Sequence, residues 1–100
     1  MTSPSKRKGN QFEREIVADA TARGLIAERA YASNGRALGE SEAVDVVVNG
    51  LRIQAKRRAK LPQYLKIPDG ADAVVVRQDR GETLILMRWD DVMDKLGEGW

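Results

Sequence analysis

AVDVVVNGLRIQAK, residues 43–56, is the stretch on which the fold turns. Asn49-Gly50 sits between two runs of strand character. This dipeptide accepts the positive φ angles of a tight two-residue hairpin turn, and so fixes the register of its flanks. Val48 then faces Leu51, and counting outward Asp45 falls opposite Gln54. Directly opposed residues point to one face with Cβ atoms about 4.5–5.5 Å apart. Lys56, two residues beyond Gln54, shares that face. Val44, Val46 and Val48, with Leu51, Ile53 and Ala55, take the other. One side of the hairpin is apolar; the other gathers a carboxylate, an amide and an ammonium, with Val47 and Arg52 nearer the turn. An ordinary half-exposed hairpin with Asp45 and Lys56 as a surface pair shows the same alternation, so the pattern alone does not make a site.

Upstream, residues 11–23 read as a helix, with Asn10 as its N-cap and Gly24 just past its end. Residues 1–8 are polar and basic, contain Pro4, and read as a disordered tail. On a helical wheel Ile16, Ala20 and Val17 fall at roughly 40°, 80° and 140° from Phe12, and Glu13 falls at roughly 100°, inside the apolar stripe. A carboxylate in that position costs free energy unless something pairs with it. Two readings stand: Glu13 snorkels or pairs with Lys56, or it helps to hold a cation.

Residues 25–32 have room for a short strand, and residues 33–42 (SNGRALGESE) read as a loop. Downstream, Pro62, Pro68 and Gly70 leave space only for a helical turn around Gln63–Lys66. Residues 71–77 and 83–88 form a second hairpin across QDRGE, and Asp90 can cap a last short helix, DDVMDKL, ended by Gly97. The order predicts an α/β fold: a mixed central β-sheet, an N-terminal helix and a short C-terminal helix, in a single domain over residues 9–100.

Composition narrows the chemistry. The chain has no cysteine, which excludes a disulfide framework, thiolate metal sites and cysteine nucleophiles. It has no histidine, which removes imidazole ligands and Ser-His-Asp chemistry. An enzyme built from these residues must use carboxylates, lysines, hydroxyls or a hard metal held by oxygen. The net charge is only +2, but Lys6, Arg7 and Lys8 cluster, as do Arg57, Arg58 and Lys60, while Asp90, Asp91, Asp94 and Glu98 gather near the end. Such basic clusters are the footprint expected for a phosphate backbone, although solvated surface charge looks the same. No apolar run approaches the roughly 20 residues of a membrane span, and no apolar stretch follows the basic start. A soluble, intracellular (cytoplasmic) protein with no membrane partner is expected.

KGNQFEREIV (8–17), VDVVV (44–48) and IQAK (53–56), in this order and spacing, resemble the archaeal-type Holliday junction resolvases of the PD-(D/E)XK, or restriction-endonuclease-like, superfamily. The likeness covers roughly residues 8–60. It implies a restriction-endonuclease-like core and a structure-selective, metal-dependent DNA endonuclease. By position it makes Glu13, Asp45 and Gln54 the ligands of Mg²⁺, with Mn²⁺ as a substitute, and Lys56 the catalytic lysine. Arg14 matches the basic residue beside the helix glutamate. Gln54 departs from the family, which carries glutamate there. An amide oxygen still suits a hard cation but brings no charge, so weaker metal binding or a decayed, DNA-binding core follows.

The residues agree with that chemistry. A carboxylate-held Mg²⁺ both activates water and neutralises a phosphate, with no histidine needed. Lys56 would stabilise the charged transition state or orient the attacking water. Lys8, Arg14, Arg57, Arg58 and Lys60 are the candidate phosphate contacts, joined by Ser33, Asn34 and Arg36, which serve equally well as loop-formers. Trp89 and Trp100 could stack on bases, with packing the simpler role for Trp89. A small core, the apolar second hairpin and the near two-fold symmetry of a four-way junction point to a homodimer. Nickase, flap or repair endonuclease activity on the same residues is the alternative, and a small interaction module without DNA the more distant one.

Overall fold

The Asn-Gly turn forms as the sequence requires. The computed structural model describes residues 4–30 and 43–100, and in it Asn49 and Gly50 take φ values of 47° and 84°, as a type I′ turn demands. They join the second and third strands of an antiparallel sheet, β1 (Ala27–Arg29), β2 (Val46–Val48) and β3 (Leu51–Ile53), with β2 in the middle. Val48 pairs with Leu51 and Val46 with Ile53, while on the other side Ala27 pairs with Val48 and Arg29 with Val46. Asn49 also ties the turn to the first strand. Its amide donates to the Ile26 carbonyl at 2.7 Å, and its Oδ1 accepts from the Ile26 amide at 2.8 Å.

Helix α1 (Pro4–Ala22) packs on β1 and β2. Ile16 and Ala20 of the helix, Leu25 after it, and Val44, Val46 and Val48 are buried to 8% exposure or less. Each fully buried valine contributes about 1.5–3 kcal/mol, so this single layer of small side chains is the main cohesion of the N-terminal half. The helix closes in a Schellman motif. Gly24 takes φ 85°, its amide donates to the Thr21 carbonyl at 3.0 Å, and the Leu25 amide donates to the Ala20 carbonyl at 3.0 Å. Leu25 and Ala20, the two ends of that motif, are both in the core.

The helix starts earlier than its sequence signals indicate. Asn10 lies inside it rather than capping it, and residues 4–8 are helical instead of a loose tail. Pro4 fits the first turn, where its missing N–H has no helical acceptor to lose. The backbone groups into two compact units, residues 1–57 and 58–100, and each is described by itself.

The second unit holds a 3₁₀ turn (Gln63–Leu65), an antiparallel hairpin of β4 (Ala73–Arg77) and β5 (Thr83–Met87), and helix α2 (Trp89–Gly97). Every strand pairing among the described residues is antiparallel, within one three-stranded and one two-stranded sheet, and the expected mixed central sheet is not seen among them. Short turns connect neighbouring strands in both hairpins, and such connections admit only antiparallel pairing. The α/β character itself stands.

Helix α2 corrects two expectations at its ends. Arg88 precedes it without a side-chain cap, and Asp90 and Asp91 lie inside its first turn, where their charge suits the exposed amides. Gly97 is still helical; Gly99, at φ 88°, ends the helix in a second Schellman motif through the Gly99–Leu96 and Trp100–Lys95 backbone bonds of 3.1 and 3.0 Å. Met93 is its buried residue, at 1% exposure. Among the described residues no helix is long and apolar enough to cross a membrane.

Candidate functional site

Asp45 makes three hydrogen bonds at the end of the first sheet. Its amide donates to the Ile53 carbonyl at 2.8 Å, and its carbonyl accepts from the Ala30 amide at 2.9 Å. Its carboxylate Oδ2 accepts from the Ala55 amide at 2.8 Å. Ile53 is already the partner of Val46, so the backbone leaves the regular ladder at this point. Asp45 therefore does not stand squarely opposite Gln54 in a continued pair of strands. Its side chain instead takes over the amide of Ala55, the residue between Gln54 and Lys56. Asp45 is half-buried, whereas Gln54 and Lys56 are exposed. The alternation holds on either side: Val44, Val46 and Val48 are buried, and Arg52, Gln54 and Lys56 face solvent.

Glu13 has a partner that the sequence reading did not consider. Its Oε1 accepts from Arg29 Nη2 at 3.0 Å and from Nε at 3.3 Å. Arg29 Nη2 also approaches Asn10 Oδ1 at 3.4 Å. Both charged side chains are largely covered, at 14% and 18% exposure for Arg29 and Glu13. The pair bridges α1 to β1, and answers the question of how a carboxylate is tolerated in the apolar stripe: neither Lys56 nor snorkelling is needed. Arg29 shares a strand face with Ala27 and, across the ladder, with buried Val46, so it too needed a buried counter-charge.

Removing one member leaves the other charge stranded, which costs about 3–5 kcal/mol when fully buried and, with this residual exposure, about 2–4 kcal/mol here. Arg29→Met should lower stability by that amount in a urea titration. Adding Glu13→Leu should recover most of it, and a double variant as unstable as the single one would assign the loss to packing.

The remaining candidates divide. Lys8 is half-buried and Arg14 exposed on α1, and Arg57 is exposed in the first unit. Arg58 and Lys60 are exposed in the second unit. Ser33, Asn34 and Arg36 lie outside the described residues. Trp89 is half-buried at the start of α2, in line with packing, and Trp100 is 68% exposed.

As a donor set for a cation, the first unit offers two carboxylates and one amide. Among the described residues no three acidic side chains converge. The bonds to Ala55 and Arg29 use Asp45 Oδ2 and Glu13 Oε1. That leaves Asp45 Oδ1 and Glu13 Oε2 without a hydrogen bond from the described residues, while the Gln54 side chain is exposed. All are hard oxygen donors of the kind Mg²⁺ takes. No protein-family model, no curated protein and no solved structure matches this chain.

Proposed function

We propose that this chain is a magnesium-dependent, structure-selective DNA endonuclease with a restriction-endonuclease-like core, acting as a Holliday junction resolvase. One observation carries the reading. The Asp45 carboxylate is seated on the backbone amide between Gln54 and Lys56, so the acidic residue of one strand and the amide and lysine of the next are tied at one sheet end. The order and spacing of KGNQFEREIV, VDVVV and IQAK add the family resemblance to that geometry.

Asp45, Gln54 and the second oxygen of Glu13 would hold the cation. Magnesium, when bound, supplies charge neutralisation at the phosphate and an acidified water. The chain's own residues do the rest. Lys56 presents an exposed ammonium one residue from the amide that anchors Asp45, suited to stabilising negative charge on the phosphate. Arg14 and Arg57 extend a positive surface for the backbone of the DNA. Arg29 holds the Glu13 carboxylate in position through its 3.0 Å contact with Oε1. A second reading, a DNA-binding protein on a decayed nuclease core, is favoured by Gln54 and by the engagement of Glu13 with Arg29.

A synthetic four-way junction, a nicked duplex, a flap and a linear duplex of matched sequence, each with Mg²⁺ or EDTA, test the reading. Paired, metal-dependent cuts confined to the junction are expected. Cuts mainly in nicked or flap DNA would change the substrate, and tight junction binding without cuts in Mg²⁺ or Mn²⁺ would leave only the DNA-binding protein. Gln54→Glu restores a charged ligand on an exposed side chain. The Mg²⁺ concentration for half-maximal cleavage should fall about tenfold, following the dependence of affinity on ligand charge. An unchanged midpoint would remove Gln54 from the ligand set.

A further inference from the structure

The β4–β5 hairpin is a two-stranded sheet, and among the described residues neither strand has a second neighbour. Its strands carry large apolar side chains in the open: Val75 is 65% exposed, Leu84 56% and Ile85 63%. Isolated two-stranded sheets are marginal in water, and an edge strand with neither charge nor proline invites another strand. Thr83–Met87, TLILM, has neither.

We infer that β5 is the edge through which two copies of this chain pair, forming a four-stranded antiparallel sheet about a two-fold axis. The inference is independent of whether the chain cuts DNA. A two-fold axis perpendicular to a sheet keeps each residue on its own face, so paired residues must be an even number apart and one residue must meet itself. Full overlap of Thr83–Met87 puts Ile85 on the axis. Thr83 then meets Met87 of the partner subunit, Leu84 meets Leu86 of the partner subunit, and Glu82 meets Arg88 of the partner subunit. The flanking charges are thus opposite in sign, twice per dimer. Both are exposed, and Arg88 is held at the strand end by a 3.0 Å bond from Nη1 to the Ala71 carbonyl. The β4 edge lacks this match. Centring on Val75 pairs Asp72 with Gln78 and Ala73 with Arg77, and brings no opposite charges together.

Sedimentation equilibrium on the full chain tests the pairing. The wild type should be a dimer. Glu82→Arg alone and Arg88→Glu alone each place like charges across the axis at both ends, and each should raise the dimer dissociation constant at least about tenfold. An equimolar mixture of the two variants recreates both opposite-charge pairs in a heterodimer, so it should sediment as a dimer although neither component does. That recovery also shows that both variants are folded. Because the chain has no cysteine, single cysteines locate the axis. Ile85→Cys should crosslink to its own copy under mild oxidation, while Val75→Cys, equally exposed on the neighbouring strand, should not. A monomeric wild type, single reversals without effect, a mixture that stays monomeric, or crosslinking through Val75→Cys in place of Ile85→Cys would each overturn the inference.

Discussion

Lys56→Ala should slow junction cleavage by about a hundred- to a thousandfold, the loss typical of removing one group aimed at developing charge. Melting temperature should hardly move. Lys56 is exposed and makes no hydrogen bond or ion pair among the described residues, and surface substitutions away from such features stay within about 0.5 kcal/mol. Junction affinity should fall only slightly, because one ammonium is a small part of a phosphate-contacting surface. Single-turnover cleavage at saturating enzyme separates the chemical step from binding. Lys56→Arg keeps the charge but replaces a compact ammonium with a planar fork, so it should recover only part of the rate. Wild-type cleavage by Lys56→Ala would take the lysine out of the reaction.

Asp45 should show two separable roles. Asp45→Ala removes the acceptor of the Ala55 amide and leaves that N–H unpaired at the sheet end, at a cost of about 1.5–3 kcal/mol for a bond to a charged group. Asp45→Asn keeps a carbonyl oxygen in the same place. It should preserve stability to within about 1 kcal/mol, yet lose cleavage as fully as alanine does, because a neutral amide weakens the hold on a divalent cation. Urea titrations beside cleavage assays would display the contrast. An asparagine variant that is both stable and active would show that the carboxylate only fastens the strands together.

The hairpin could be read from the sequence because local chemistry specifies it. Asn49-Gly50 sets the turn, alternation sets the faces, and the pairs Val48–Leu51 and Val46–Ile53 follow. The reading failed one residue later, where a side chain competes with the backbone. Counting outward assumes a continuous ladder, and the carboxylate of Asp45 ends it by binding the Ala55 amide. Helix α1 was misjudged for a similar reason. Asn10 looked like a cap, but its Oδ1 faces Arg29 while the helix passes through it. Arg29 itself was overlooked because ion pairing between residues 16 apart depends on how the helix lies on the sheet, which no local pattern encodes. The two separate sheets were hidden similarly: strand order depends on which edges meet, and the strand patterns alone specify only that strands exist.

The two hairpin tips are not equivalent as places to lengthen the chain. Exposed turns commonly accept inserted peptides, new termini or fused domains. The tip after β4 is held by one internal backbone bond, Gly81 to the Gln78 carbonyl at 2.8 Å, and a longer loop there leaves its strands paired. The tip at Asn49 is also the attachment of a third strand, since both its amide and its side chain are bonded to Ile26. A peptide grafted between Asn49 and Gly50 would displace a residue that fastens the entry of β1 at Ile26 to the β2–β3 turn. Labels, affinity handles and circular permutation therefore belong at residues 78–81, and the short Asn-Gly turn, although solvent-facing, behaves as an interior part.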